Sequence, residues 1–369
     1  MNNFWTKDLE NSTRSYLEKL ERTENFTYNP AIDGLTEYGN NLSLGFICFA
    51  LKIKYMIGDW QKLGTIQQNT WIDKINSYQK ESKVFPANSY IDDSLLKSYQ
   101  SFELKKKFSD VSKSIINLHP MYEFETSKQK LLKAVNADTK QAVSTIFQAG
   151  YKNEKKIDIQ ISNQESLDSF LNQYDWSKPW NAGAQFSSLC VYNETQDLNI
   201  KNFLIRYISK KADSETGSYF SSYPKSTREI INGAMKVITG LDWLGHEIHY
   251  PEKLIDFCIE NEPVTEGCDL VDYVYVLFKC SQQVEYRKKE INTIFLKQLN
   301  YLEKLYVKDE GGFSYFIDGS QTHYYGVQIT NGKKQADIHG TTLCTWAIAM
   351  IAANVQDENF NLNWNLIKP

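Results

Sequence analysis

Six stretches of this chain read as helices that are apolar on nearly every side, and longer helices between them are apolar on one side only. The first kind covers 42–57, 139–149, 182–192, 228–239, 267–280 and 340–354. A helix that is apolar all round must be covered all round, whereas a one-sided helix covers a neighbour and still faces water. Six of the first kind alternating with six of the second are satisfied together by a closed double ring, with the buried helices inside. Strand signals are weak: Lys156 to Ile161 alternates, but one such run makes no sheet. The expected fold is all-α, an (α/α)6-type toroid of inner and outer helices in one domain spanning 1–369. Residues 1–130 form its less regular part, 131–356 carry clear helical-hairpin repeats, and 357–369 form a C-terminal tail.

The punctuation supports this division. Leu9, Tyr16, Leu17 and Leu20 align on one side of an N-terminal helix, and Gly58 closes the helix of 42–57. The region 62–118 holds two or three amphipathic segments broken at Pro86. Asp138-Thr139-Lys140-Gln141 and Ser226-Thr227-Arg228-Glu229 have capping-box spacing, so helices are expected to open there, and Asn181 can cap the helix that follows it. Glu215 to Phe220 is echoed by Glu310 to Phe316, the mark of an internal repeat.

Composition narrows the function. Aromatic residues make up 14% of the chain, enough for a thick core or for an aromatic-lined cavity. Net charge is −4, and the only basic run, Lys105-Lys106-Lys107, reads as a solvated helix end, so nucleic acid is not an expected partner. The start shows no secretory signal, and the longest apolar candidate, Leu42 to Ile57, is cut by Lys52 and Lys54, so no membrane span is expected. The six cysteines form no Cys-x-x-Cys pair and fall mostly in apolar helical runs, which points to a reduced, cytoplasmic setting.

Candidate chemistry gathers where the buried helices begin. Their amino ends carry unsatisfied N–H groups and partial positive charge, suited to anionic or polyhydroxyl ligands. Trp176, Trp180, Asn181, Arg228, Asn232, Glu266, Asp269, Asp272, Asp337 and His339 are expected at that mouth. Asp269 and Asp272, three apart, share a helix face. Asp269 either offsets the helix dipole or tunes its neighbour. Asp272, a turn deeper among valines, either bonds a neighbouring element or serves as a general acid or base with a pKa raised by burial. Asp337 either caps the last buried helix or orients His339 as a second proton-transfer pair. Trp176, Trp180 and Trp243 either stack on a substrate or wedge helices apart. Phosphate-loop, dinucleotide and nucleophile-elbow signatures are missing.

Gly311-Gly312-Phe313 and Asp337-Ile338-His339-Gly340-Thr341-Thr342-Leu343-Cys344-Thr345-Trp346 resemble the repeat of terpenoid cyclases and protein prenyltransferases. With Trp180-Asn181-Ala182-Gly183 and Cys268-Asp269-Leu270-Val271-Asp272, the region 139–354 is similar to an uncharacterised bacterial group of α/α-toroid proteins found beside glycan-assembly genes. The acidic cyclase motifs are absent, and Asp92-Asp93 does not supply them. The resemblance implies the toroid fold and a glycan setting, and with the acidic residues above the expectation is an enzyme acting on a carbohydrate or glycan intermediate by general acid/base catalysis: a hydrolase, lyase or epimerase without a cofactor. The catalytic residues would be Asp272, Asp269, His339 and Asp337, and Trp176, Trp180, Asn181, Arg228 and Glu266 would bind substrate. An alternative is an isoprenoid-handling transferase or cyclase with zinc on Glu266, Cys268 and His339, since prenyltransferases hold zinc through Asp-x-Cys and a later His. A further alternative is a non-catalytic ligand-binding toroid.

Overall fold

The computed structural model describes residues 4–6, 8–22, 26–100, 127–263, 266–355, 360 and 362–369. The basic run Lys105-Lys106-Lys107 lies outside the described residues. Helices dominate, in the order α1 (Leu9–Leu20), α2 (Glu37–Asn41), α3 (Leu44–Met56), α4 (Thr65–Asn76), α5 (Asp93–Gln100), α6 (Ser127–Gln148) and α7 (Gln164–Leu171). There follow α8 (Pro179–Gln196), α9 (Lys201–Ser209), α10 (Thr227–Leu244), α11 (Pro251–Glu260), α12 (Gly267–Gln283), α13 (Lys288–Leu305) and α14 (Ile338–Val355). Among the described residues the strands form only two-stranded ladders, so the chain is mostly helical with little sheet.

The helices that contain the six apolar stretches contact one another in a cycle. α3 packs on α6, α6 on α8, α8 on α10, α10 on α12, α12 on α14, and α14 returns to α3. The one-sided helices lie against this cycle: α1 on α14, α4 on α3 and α6, α9 on α8, α11 on α12, and α13 on both α12 and α14. Burial follows the residue pattern. Leu9, Tyr16, Leu17 and Leu20 of α1 are all buried, while nearly every residue of α3 and α12 is. α14 is long and apolar enough to cross a membrane by length and composition, which the broken run at 42–57 did not suggest. It is mostly buried against α3, α12 and α13.

A repeated device joins the one-sided helices to the buried ones. After α1, α4, α9 and α13 the chain pairs briefly with itself: Glu21 with Tyr28, Gln79 with Tyr90, Ala212 with Tyr219, and Tyr306 with Phe313. The second partner is aromatic each time and has no exposed surface. Each ring contributes about 1.5–3 kcal/mol of burial and fixes the angle at which the chain turns toward the next buried helix. The echo between 215–220 and 310–316 is the sequence trace of two of these four turns.

Three expectations about helix starts need correction. α6 begins at Ser127, so Asp138 is not a cap: it lies mid-helix, where Tyr324 donates its hydroxyl to Oδ1 at 2.5 Å. α8 begins at Pro179, which already suits the first helical position because it lacks an N–H, so Asn181 lies within the first turn. At α10 the Ser226 cap forms, with Oγ accepting the Glu229 N–H at 3.3 Å, but the Glu229 carboxylate turns to Trp180 instead of closing the box. Residues 362–369 also do more than trail. Asn365 donates to the Met56 and Tyr55 carbonyls and Lys368 to that of Asp242; the Met56 carbonyl is an orphan of the α3 end, and the other two gain a second donor beside the Gly58 and Gly245 N–H groups.

Candidate functional site

The site begins with a forced glycine. Gly267 opens α12 at φ +57°, and a Cβ there would stand 2.6 Å from the Tyr315 ring. With glycine in place Tyr315 closes over the helix end, its hydroxyl donating to the Cys268 sulfur at 3.1 Å. Glu266, just before the helix, accepts the Ile317 N–H at 2.9 Å and ties the same loop. Asp269 and Asp272 then fall on one face, as their spacing requires, but their surroundings differ.

Asp269 is saturated. Arg228 Nε donates to both its oxygens, at 2.9 and 2.8 Å, and Asn232 Nδ2 donates to Oδ1 at 2.7 Å. The guanidinium also lies 4.8 Å above the centre of the Trp180 ring. The Trp180 N–H donates to Glu229 at 3.2 Å, so the starts of α8, α10 and α12 are joined side by side.

Asp272 is the opposite case. It is 2% exposed, and its Oδ2 is buried with no hydrogen-bond partner. Burial pushes its carboxyl up to about 6; Asp269 adds to that rise, and Lys236 and Arg228 work against it. A carboxyl that changes protonation near neutral pH, with an oxygen unclaimed by the protein, has the properties of a general acid or base.

At the start of α14, Asp337 holds the backbone. It accepts N–H bonds from Tyr315 (2.7 Å), Gln321 (3.0 Å) and Gly340 (2.7 Å), the last being the cap. Its oxygens are therefore engaged in positioning the 313–321 loop, and no hydrogen bond joins them to the His339 ring. That ring stacks on Phe49 of α3, with centroids 4.6 Å apart, and lies 5.2 Å from Tyr315. Burial lowers its pKa to about 3, with help from Lys236 and Lys52, so the ring is neutral. With Nδ1 donating to Gln321 at 3.1 Å, the tautomer leaves Nε2 as an acceptor.

The structure thus brings Trp180, Arg228, Asn232, Glu266, Asp269, Asp272, Asp337 and His339 to one end of the six-helix cycle. Tyr315 links the α12 and α14 groups, and Lys236 bears on both Asp272 and His339. Asn181 is exposed on α8. Trp176 is not at this end as a stacking surface: it is buried between Tyr207 and Lys211, and its indole N–H donates to the Leu171 carbonyl. Trp243 is at the far end, donating to the Pro369 carbonyl at 3.3 Å. Tyr315, Lys52 and Lys236 were not singled out from sequence. The signals were there, in the Gly-Gly-Phe-Ser-Tyr echo and in lysines standing inside apolar helical runs.

The zinc ligand set does not fit. Glu266 is bonded to the 317 backbone, the Cys268 thiol takes the Tyr315 hydroxyl and is pushed up to about 11 by burial, and His339 is held by Gln321. No group of three His, Cys, Asp or Glu side chains among the described residues is placed to hold a metal ion. The six cysteines are all free.

At the carboxyl ends of the buried helices lies a cavity of about 560 Å³, lined by Phe147, Trp243, Tyr275, Trp346 and the tail residues Leu366 to Lys368 among others. There Asp242 pairs with Lys279 at 2.8 Å and with Lys368 at 3.8 Å. The chain matches no family model, no curated protein and no solved structure, so the functional reading rests on this geometry.

Proposed function

We propose that the chain is a single-domain enzyme of the (α/α)6-toroid type that acts on a carbohydrate or glycan intermediate by general acid/base catalysis. The cycle of six buried helices supports the inner ring of such a toroid, and the one-sided helices packed on it support the outer ring. One observation carries the catalytic reading: Asp272 is buried at the inner-helix starts with an unpartnered oxygen and a carboxyl poised near pH 6.

In this reading Asp272 exchanges the proton at the reacting carbon or oxygen. Asp269, neutralised by Arg228 and held by the Asn232 amide, keeps the neighbouring potential steady and is a positioning residue. The Nε2 of His339 is a second proton acceptor, and Asp337 positions it by fixing the loop and helix start that carry it. Trp180 with the Arg228 guanidinium forms an aromatic and cationic rim, suited to a sugar ring presenting an apolar face and hydroxyl edges.

The test is turnover of a panel of oligosaccharides and glycosyl phosphates, followed by mass spectrometry, with wild type, Asp272→Asn and Asp269→Asn. Turnover that is abolished by the first change and only reduced by the second supports the reading. Equal turnover in wild type and Asp272→Asn would remove Asp272 from the mechanism. Saccharide binding without turnover would make the chain a ligand-binding toroid.

A further inference from the structure

All six buried helices line the cavity at their carboxyl ends: Tyr55 from α3, Gln148 from α6, Glu194 from α8, Trp243 from α10, Tyr275 from α12 and Trp346 from α14. The tail residues Leu366 to Lys368 form a further wall. Its volume of about 560 Å³ lies within the usual range of small-molecule sites, roughly 300–1,000 Å³. The cavity is a second mouth of the ring, at the end away from Asp272.

Three of its lining residues hold an oxygen that the fold leaves unsatisfied. Gln148 Oε1, Asp242 Oδ2 and the Tyr275 hydroxyl are buried and have no hydrogen-bond partner in the protein. Thr239 does not supply Tyr275, because its proton goes to the Met235 carbonyl at 2.9 Å. One such atom is costly, and here they converge on a single cavity. The amide oxygen and the carboxylate oxygen only accept, so whatever satisfies them must present O–H or N–H donors. An alkyl chain has none and would leave these oxygens stranded.

The walls narrow the choice further. Phe147 packs on Trp243 with ring centres 5.6 Å apart, and Tyr275 on Trp346 at 5.0 Å. The charged groups of the lining are already balanced, Asp242 and Glu194 against Lys279 and Lys368. Asp242 meets both lysines through Oδ1, at 2.8 and 3.8 Å, and Oδ2 is left over. An ionic ligand therefore finds no net counter-charge. A pyranose ring, with an apolar C–H face and hydroxyl donors on its edge, matches both the aromatic pairs and the stranded oxygens. A second cavity of about 420 Å³ is lined by the same Asp242–Lys279 pair and gives room for a further ring.

We propose that the carboxyl-end basin of the ring is a binding site for a neutral saccharide, held against the aromatic pairs with its hydroxyls donating to Gln148, Asp242 and Tyr275. Lys279 and Lys368 offer donors to its hydroxyl oxygens. The site is separate from the amino-end carboxylates and does not rest on the catalytic reading.

The experiment measures binding. Maltose, cellobiose and N,N′-diacetylchitobiose are titrated into the full chain by calorimetry, with choline and octanoate as cationic and alkyl-chain controls. Wild type is expected to bind at least one disaccharide about tenfold or more tighter than either control. Gln148→Met and Tyr275→Phe should each weaken that binding about three- to tenfold, the worth of one hydrogen bond. Without ligand, both variants should melt no lower than wild type, since each loses a stranded oxygen and keeps the shape of the wall. Trp243→Phe should shrink the tryptophan fluorescence change on binding, and Asp272→Asn should bind as wild type does.

Disaccharides binding no tighter than the controls would overturn the site. So would undiminished binding by both Gln148→Met and Tyr275→Phe, or loss of binding in Asp272→Asn, either of which would move the saccharide to another place. A marked drop in melting temperature in both wall variants would make the oxygens structural and overturn it too. Turnover lost in Asp272→Asn with this binding intact would uphold both sites, and turnover kept would sink the catalytic reading alone.

Discussion

The two ends of the six-helix cycle are built from the same helices and differ in nearly every physical respect. At the amino ends, loops bring in Tyr315, Gln321 and Glu266, and polar groups are fixed one by one: Asp269 by Arg228 and Asn232, Asp337 by three backbone N–H groups. Asp272 alone keeps a buried unclaimed oxygen among these carboxylates. At the carboxyl ends, aromatic side chains line a cavity, and residues 362–369 add donors to helix carbonyls, that of Met56 having no other. Orphan N–H groups and helix dipoles favour acids and anions at one end, while orphan carbonyls favour lysines and amides at the other. A ring of parallel buried helices therefore sorts its own chemistry by polarity, and the reactive groups gather where the helices start.

The sharpest way to break this contrast is Asp272→Asn. Turnover should fall by about 10²–10⁴, the usual worth of a positioned general acid or base, with stability unchanged or higher. A drop under threefold in a steady-state assay would place catalysis elsewhere. Next in size is Asp337→Ala, which strands three buried N–H donors and should cost ~3 kcal/mol or more in urea unfolding. A cost below ~1 kcal/mol would mean that the 313–321 loop is held by other contacts.

Gly267→Ala should cost ~1–2 kcal/mol from the positive φ alone and should displace Tyr315 from Cys268. Unchanged tyrosine fluorescence and unfolding midpoint would contradict that. At the far end, Trp243→Phe removes one indole bond to the tail and should cost about 1 kcal/mol while leaving turnover intact. An equal loss of turnover there would erase the distinction between the ends.

The last effect is one of pH. His339 is held at about 3 in the fold, below its ordinary 6.5, so as pH falls from 6.5 toward 3 the unfolded chain takes up the proton first. Stability contributed by keeping the ring neutral is complete above pH 6.5 and declines across that window. His339→Gln should flatten this slope in unfolding experiments at pH 4–6. An identical slope in the variant would assign the acid sensitivity to other groups.

Much of the helix order was legible because all-round and one-sided apolarity are properties of local spacing. The shared face of Asp269 and Asp272 and the position of Arg228, Asn232 and His339 in the first two turns of their helices followed from helix starts alone. Three things were not legible locally. Asp138 carries a capping pattern, yet α6 continues through it because earlier residues are already helical, and its carboxyl meets Tyr324 from nearly two hundred positions away. Trp176 looks like a rim aromatic beside Trp180, but its neighbours on α9 bury it. Asp92 reads as a stray acid, yet it accepts the Ser43 and Leu44 N–H groups and caps α3 from across the chain.

The sequence by itself determined where helices form, which of them are buried, and which acids stand near their starts, because periodicity, caps and glycines act over a few residues. Only the tertiary structure decided that the six buried helices contact one another in a cycle, and that Asp269 is paired while Asp272 is left with a free oxygen. Those outcomes depend on which side chains long-range packing brings within a few ångströms. At that range desolvation and Coulomb forces become strong enough to separate two aspartates that the chain writes only three residues apart.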